Sequence, residues 1–223
     1  MSALSCGIAV LLALQAGSLV GCGDQGTPQK ASVPPGLTRT VPHVVRNDCE
    51  AAAKEIDEGA VYCPPLVPAG RTYSQNRSSR GKVSIDAHGD EYILNFVTST
   101  LRGRDETQPK NFRRHPGHWL IRAADQPGEL TRGPGVRVVK EVTVENTPVS
   151  IVQRKWVAYD IDAGHVLAVW RFGGRTFEIS LHGFENRGLL LPMVEALIEQ
   201  MHNCSEMESD EPAPECELVI PAG

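Results

Sequence analysis

The chain has 223 residues, a formal net charge of −5 and a 41% hydrophobic share, enough apolar material for one domain with a real core. The acidic balance and the absence of aromatic residues interleaved with basic ones exclude a nucleic-acid partner. The nucleophile elbow, phosphate loop, dinucleotide fingerprint and zincin motif are absent, which removes the enzyme classes built on them. No catalytic residue, metal or cofactor is therefore expected.

Residues 1–23 carry no charged side chain, and Asp24 is the first. Inside them lies a compact apolar run from Ile8 to Leu14, of signal-peptide size and too short to span a bilayer core. Gln15, Gly17 and Ser18 interrupt the stretch as a membrane helix. Then comes Leu19-Val20-Gly21-Cys22: an aliphatic residue, a permissive one, a small one and a cysteine. This run resembles the lipobox of bacterial lipoproteins. The resemblance implies removal of 1–21 as a signal peptide and diacylglycerol on the Cys22 sulfur, usually with an acyl chain such as palmitate on the new amino group. No Lys or Arg precedes the apolar run, and an upstream start codon would supply one. The competing readings are an uncleaved membrane anchor and a structural cysteine. More than one acyl chain, at about 0.8 kcal/mol per buried CH2, makes attachment persistent. The implied address is the bacterial cell envelope, outside the cytoplasm and anchored by lipid.

Residues 22–45 hold Gly, Thr, Ser and Pro with little apolar periodicity. They read as the lipidated cysteine and a flexible tether with a reach of about 25 Å. A single α+β domain is expected over 46–204, and an acidic tail tied by a disulfide over 205–223. "NDCEAAAKEIDEG" predicts a helix capped by Asn47 or Asp48 and stopped at Gly59. Cys6 leaves with the signal and Cys22 takes lipid. Cys49, Cys63, Cys204 and Cys216 remain, an even number in an exported chain, which reads as two disulfides. Three connectivities exist, and sequence proximity selects Cys49–Cys63 with Cys204–Cys216. No pair has CxxC spacing, so zinc or thioredoxin-like chemistry is not expected of them.

A hairpin turning at Gly89-Asp90 pairs Ala87 with Tyr92, Ile85 with Leu94 and Val83 with Phe96, giving one apolar and one mostly polar face. Arg102 to His118 reads as a long loop. In it His115-Pro-Gly-His118 is a turn with solvent-facing histidines, and Arg102, Arg104, Arg113 and Arg114 could grip phosphate or carboxylate. "HWLIRAA" and "GVRVVKEVTVEN" read as strands. Asn146-Thr147-Pro148 then turns into "VSIVQRKWVAY". Trp119, Trp156 and Trp170 are core candidates.

"HVLAVWRFGGRTFEISLHG" is the clearest unit. Gly173-Gly174 suits a two-residue turn needing positive φ. The register sets Phe172, Trp170, Ala168 and Val166 opposite Arg175, Phe177, Ile179 and Leu181, with the Arg175 stem lying along the apolar face. On the other face His165 is directly opposite His182, with Ser180 and Glu178 further along. Two imidazoles about 4.5–5.5 Å apart at Cβ could share a metal or act as a pH switch. No third ligand is evident, so these four residues are expected to decorate a polar face. Leu190, Val194, Leu197, Ile198 and Met201 then recur at helical spacing, with Pro192 tolerable only near the first turn.

The fold class is α+β: a mainly antiparallel sheet of about five to seven strands with an N-terminal and a C-terminal helix packed against it. The segment 164–201 resembles the endings of small exported envelope lipoproteins and sensor domains of unknown function, some with half-barrel lipid-carrier-like folds. That likeness carries no activity. From Arg71 to Arg122 the local charge is +5, and from Glu195 to Gly223 it is −8. The basic part could face anionic lipid or cell-wall polymer, although a solvated face explains it equally. The expected function is a membrane-anchored, non-catalytic binding or interaction module, held by its N-terminal lipid and meeting an envelope protein, a cell-wall polymer or a lipid. The alternatives are an exported hydrolase using Ser180, His165 and His182, or a lipid-carrier-like domain.

Overall fold

The computed structural model describes residues 32–75, 86–88, 91–104, 114–128, 131–132, 135–154, 165–182, 186–205 and 214–223. Cys22, the apolar run before it, Trp156 and Arg113 lie outside them. Residues 33–223 form one compact unit.

The fold begins earlier than the tether expectation allowed. Strand β1 (Leu37–Thr38) pairs with β3 (Val67–Pro68), and Leu37 and Val45 are buried in the core. Helix α1 runs from His43 to Ala53. It is internal to the domain, not its N-terminal element, because β1 precedes it. Its boundaries also differ from the expected ones. Pro42 holds the N-cap position with φ −57° and ψ 143° and no side-chain cap. Its carbonyl accepts from the Val45 and Arg46 amides instead. A proline suits a helix start because the first amides have no helical acceptor. Val45, Asp48, Cys49 and Ala52 form the buried stripe, one helical turn apart. Arg46 and Glu50 pair on the exposed side at 3.1 Å.

The main sheet is antiparallel and follows the order β4-β6-β7-β11-β10-β9-β8. Its strands are β4 (Thr72–Ser74), β6 (Glu91–Arg104), β7 (Arg114–Ala124), β8 (Val136–Val144), β9 (Thr147–Arg154), β10 (His165–Phe172) and β11 (Arg175–His182). A short β5 (Asp86–His88) pairs with β6 at Glu91–Ile93, on the edge that β4 shares further along at Phe96–Thr98. The β5–β6 register is the expected one at Ala87–Tyr92. The pairs expected for Ile85 and Val83 lie outside the described residues.

The long loop expected over 102–118 is instead mostly strand at its two described ends. Strand β6 continues to Arg104 and β7 already starts at Arg114. The register between them shifts between Thr98, opposite Gly117, and Arg102, opposite Pro116. Pro116 has no amide to give a ladder, and a bulge is where a strand tolerates that. The same Pro-Gly pair that suggested a turn therefore marks a bulge. The β8–β9 turn is Glu145-Asn146, with φ of 44° and 62°, so Thr147 and Pro148 already belong to β9. The β10–β11 hairpin has the predicted register throughout, with Gly173 and Gly174 at φ 56° and 84°.

One face of this sheet holds the main core. Tyr92, Leu94, Phe96, Trp119, Ile121, Trp170, Phe177, Ile179 and Leu181 are buried there. Phe96 lies 4.6 Å from Trp119 between ring centroids, and Trp170 stacks on Phe177 at 5.8 Å. The Arg175 guanidinium lies 5.7 Å over the Tyr92 ring, so its stem does run along the apolar side. Helix α2 (Arg187–Ser205) buries Leu190, Met193, Val194, Leu197, Ile198 and Met201. Pro192 is its sixth residue, a little deeper than the first turn.

The cysteines pair as expected, Cys49 with Cys63 and Cys204 with Cys216, with Cα separations of 5.8 and 5.6 Å. The chain does not stop at α2 in a loose tail. A 3-10 turn (Pro214–Leu218) leads into β12 (Val219–Pro221), which pairs with β2 (Ala60–Tyr62). The Gly223 amide donates to the Ala53 carbonyl at 2.8 Å.

Candidate functional site

The second face of the sheet was expected to be polar and open. Around β10 and β11 it is closed: His165, Leu167, Glu178, Ser180 and His182 are all buried. Strand β11 lies in the sheet interior between β7 and β10, so its polar residues at every second position must find partners inside the protein.

Glu178 finds them at one end. It accepts from the Gly128 amide at 2.5 Å and from the Thr131 hydroxyl at 3.2 Å. The Arg122 guanidinium, opposite it on β7, is 3.6 Å away and also donates to the Gln126 carbonyl at 2.7 Å. The carboxylate thus organises the segment after β7. It lies at the other end of the face from the histidines.

Three imidazoles gather at that other end. His165 on β10 and His182 on β11 are directly cross-strand, as predicted. His118, from β7, joins them, because Trp119 is paired with Leu181 and the next residue on each strand falls on the opposite face. One potential ligand nitrogen from each of His118, His165 and His182 lies within 4.8 Å of the other two. His118 stacks on His182 with centroids 4.6 Å apart and lies 5.0 Å from His165. The separation His182 Nδ1 to His165 Nε2 is 3.2 Å. His165 Nδ1 shares a 2.8 Å hydrogen bond with Ser180 Oγ. The Asn186 side-chain amide donates to the His182 carbonyl at 2.6 Å, tying the end of β11 to the start of α2.

Burial pushes the His165 imidazole down to about 3, helped by His118, His182 and Arg154. It is neutral at physiological pH, so one of its ring nitrogens keeps a lone pair. The expectation of solvent-facing loop histidines at 115–118 fails for His118, which is half-buried in a strand. Nothing in the local sequence "HPGHW" announces this. The signal would have been the pairing of β7 with β11, strands some fifty residues apart in sequence.

The structure brings together His165, His182 and Ser180 and leaves Glu178 apart from them. A Ser–His contact exists, yet among the described residues no carboxylate orients the imidazole, and Ser180 is fully buried. The arrangement suits holding an ion or a small group between ring nitrogens better than attack by a hydroxyl. No family model, no curated protein and no solved structure matches the chain.

Proposed function

We propose that the chain is an exported lipoprotein, anchored through lipid on Cys22, whose domain is a non-catalytic binding module in the bacterial envelope. The observation that carries this is the pair of disulfides, Cys49–Cys63 and Cys204–Cys216, since such bonds persist in oxidising compartments. The lipobox-like Leu19-Val20-Gly21-Cys22 supplies the address. Among the described residues no helix is long and apolar enough to cross a membrane; in this reading the N-terminal lipid provides the attachment. The binding face is the histidine end of β7, β10 and β11. The hydrolase alternative gains little support from a fully buried Ser180 whose histidine has no carboxylate partner among the described residues. The lipid-carrier alternative needs an apolar cavity where α2 instead lays Leu190, Leu197 and Met201 against the core.

Metabolic labelling with a palmitate analogue tests the anchor. The wild-type chain is expected to take label and partition into membranes, and the Cys22→Ala chain to lose both. Equal labelling of the Cys22→Ala chain overturns the reading.

A further inference from the structure

We propose that His118, His165 and His182 form a three-histidine site for a divalent transition-metal ion of the zinc type, with Ser180 as its positioning residue. The inference rests on the reading of this face as the binding face of the module. It draws on geometry that neither hairpin contains alone.

Zinc–nitrogen bonds of about 2.0–2.1 Å in a tetrahedral shell place neighbouring nitrogens about 3.3 Å apart. His182 Nδ1 and His165 Nε2 share a hydrogen bond at 3.2 Å, and a shift of its proton to the far nitrogen of His182 frees both for one ion. The third nitrogen lies within 4.8 Å of both, and closing that gap to about 3.3 Å would complete three corners of the tetrahedron. The strands holding the rings are hydrogen-bonded neighbours in the sheet interior, which fixes their backbones before any ion arrives.

Orientation is also built in. A histidine that ligates a metal through one nitrogen donates from the other to a nearby acceptor, which fixes ring and tautomer. Ser180 Oγ, 2.8 Å from His165 Nδ1, is such an acceptor, and it turns Nε2 toward the other rings. Imidazole ligands suit zinc, copper and nickel better than magnesium or calcium. Glu178 stays with Gly128, Thr131 and Arg122 and brings no negative charge to the ion. Three neutral ligands leave the fourth position for water or an anion.

The test uses the purified full chain with its disulfides intact, free thiols alkylated and metal stripped by chelator. Cobalt(II) is titrated in and its visible ligand-field absorption recorded, then zinc is added in competition. One cobalt per chain with an intense tetrahedral band, displaced by zinc, is expected. Ser180→Ala should weaken binding roughly 10–100-fold, and His118→Ala should weaken it more and abolish the tetrahedral band. His118→Ala is the decisive variant because its site is half-buried; circular dichroism verifies that it folds. Absence of saturable cobalt binding overturns the proposal, as does a His118→Ala chain that binds like wild type. Palmitate labelling at Cys22 is independent of either result, so failure of the metal site and failure of the lipoprotein reading are told apart.

Discussion

Acidifying the metal-free protein should destabilise it through His165, and the size of the effect can be worked from its surroundings. The imidazole is buried at the junction of β10, β11 and β7, near His118, His182 and Arg154, and its pKa falls from 6.5 to about 3. The folded state therefore keeps it neutral where the unfolded state binds a proton. Its contribution is fully present above pH 6.5 and is lost as pH falls toward 3. The slope approaches about 1.4 kcal/mol per pH unit for each proton excluded. Between pH 8 and pH 5 the loss is about 2 kcal/mol, and by pH 4 about 3 kcal/mol. Urea denaturation midpoints at pH 8, 7, 6 and 5, in chelator, measure it. His165→Gln removes the titrating group and keeps a polar side chain. The wild type should lose about 2 kcal/mol more than the variant over that range. Parallel losses in both chains would refute the reasoning, because the sensitivity would then belong to other groups.

Two further outcomes follow from packing. Replacing Cys204 and Cys216 together with serine opens a loop of sequence separation 12 and should cost about 3 kcal/mol in the chain-entropy model. Hydrogen exchange at Ile220 should rise first, since that disulfide ties β12 back to α2. Gly128→Ala places a Cβ 2.7 Å from Glu178 Oε2, so the carboxylate or the loop must move. A loss of about 1–3 kcal/mol is expected, measured as a lowered melting temperature, and an unchanged value would show that the loop yields freely.

The legible parts of the fold were those in which neighbouring residues decide. Gly173-Gly174 could serve only as a tight turn, and the alternation on either side set every pair of the β10–β11 ladder. The stripe Leu190, Val194, Leu197, Ile198 and Met201 named the buried side of α2. The cysteine pairs followed from proximity. What escaped depends on distant parts of the chain. Pro116-Gly117 carries the local signature of a turn, and only a partner strand that shifts register turns it into a bulge. Asp48 was weighed as a cap and is a buried helix residue, because Pro42 begins α1 a full turn earlier. The segment 205–223 reads as an acidic tail tied by a disulfide, yet β2 offers β12 an edge. His118 escapes for the same reason: the third ligand comes from β7, which only the pairing with β11 brings to the histidine pair.

The strand order places a temporal constraint on the histidine cluster. His165 and His182 meet as soon as one tight hairpin closes, a step needing only 18 consecutive residues. His118 arrives only when the β6–β7 pair docks along β11, after the chain between Ala124 and Thr176 has been gathered in. Non-local pairings of this kind form slowly compared with hairpins. On contact order alone the full triad would form after the two-histidine hairpin. If the chain is exported as proposed, it would thread through a membrane in extended form with its imidazoles scattered. It would become competent to hold an ion only on the side where it folds, and the compartment of folding would then choose which ion it meets first.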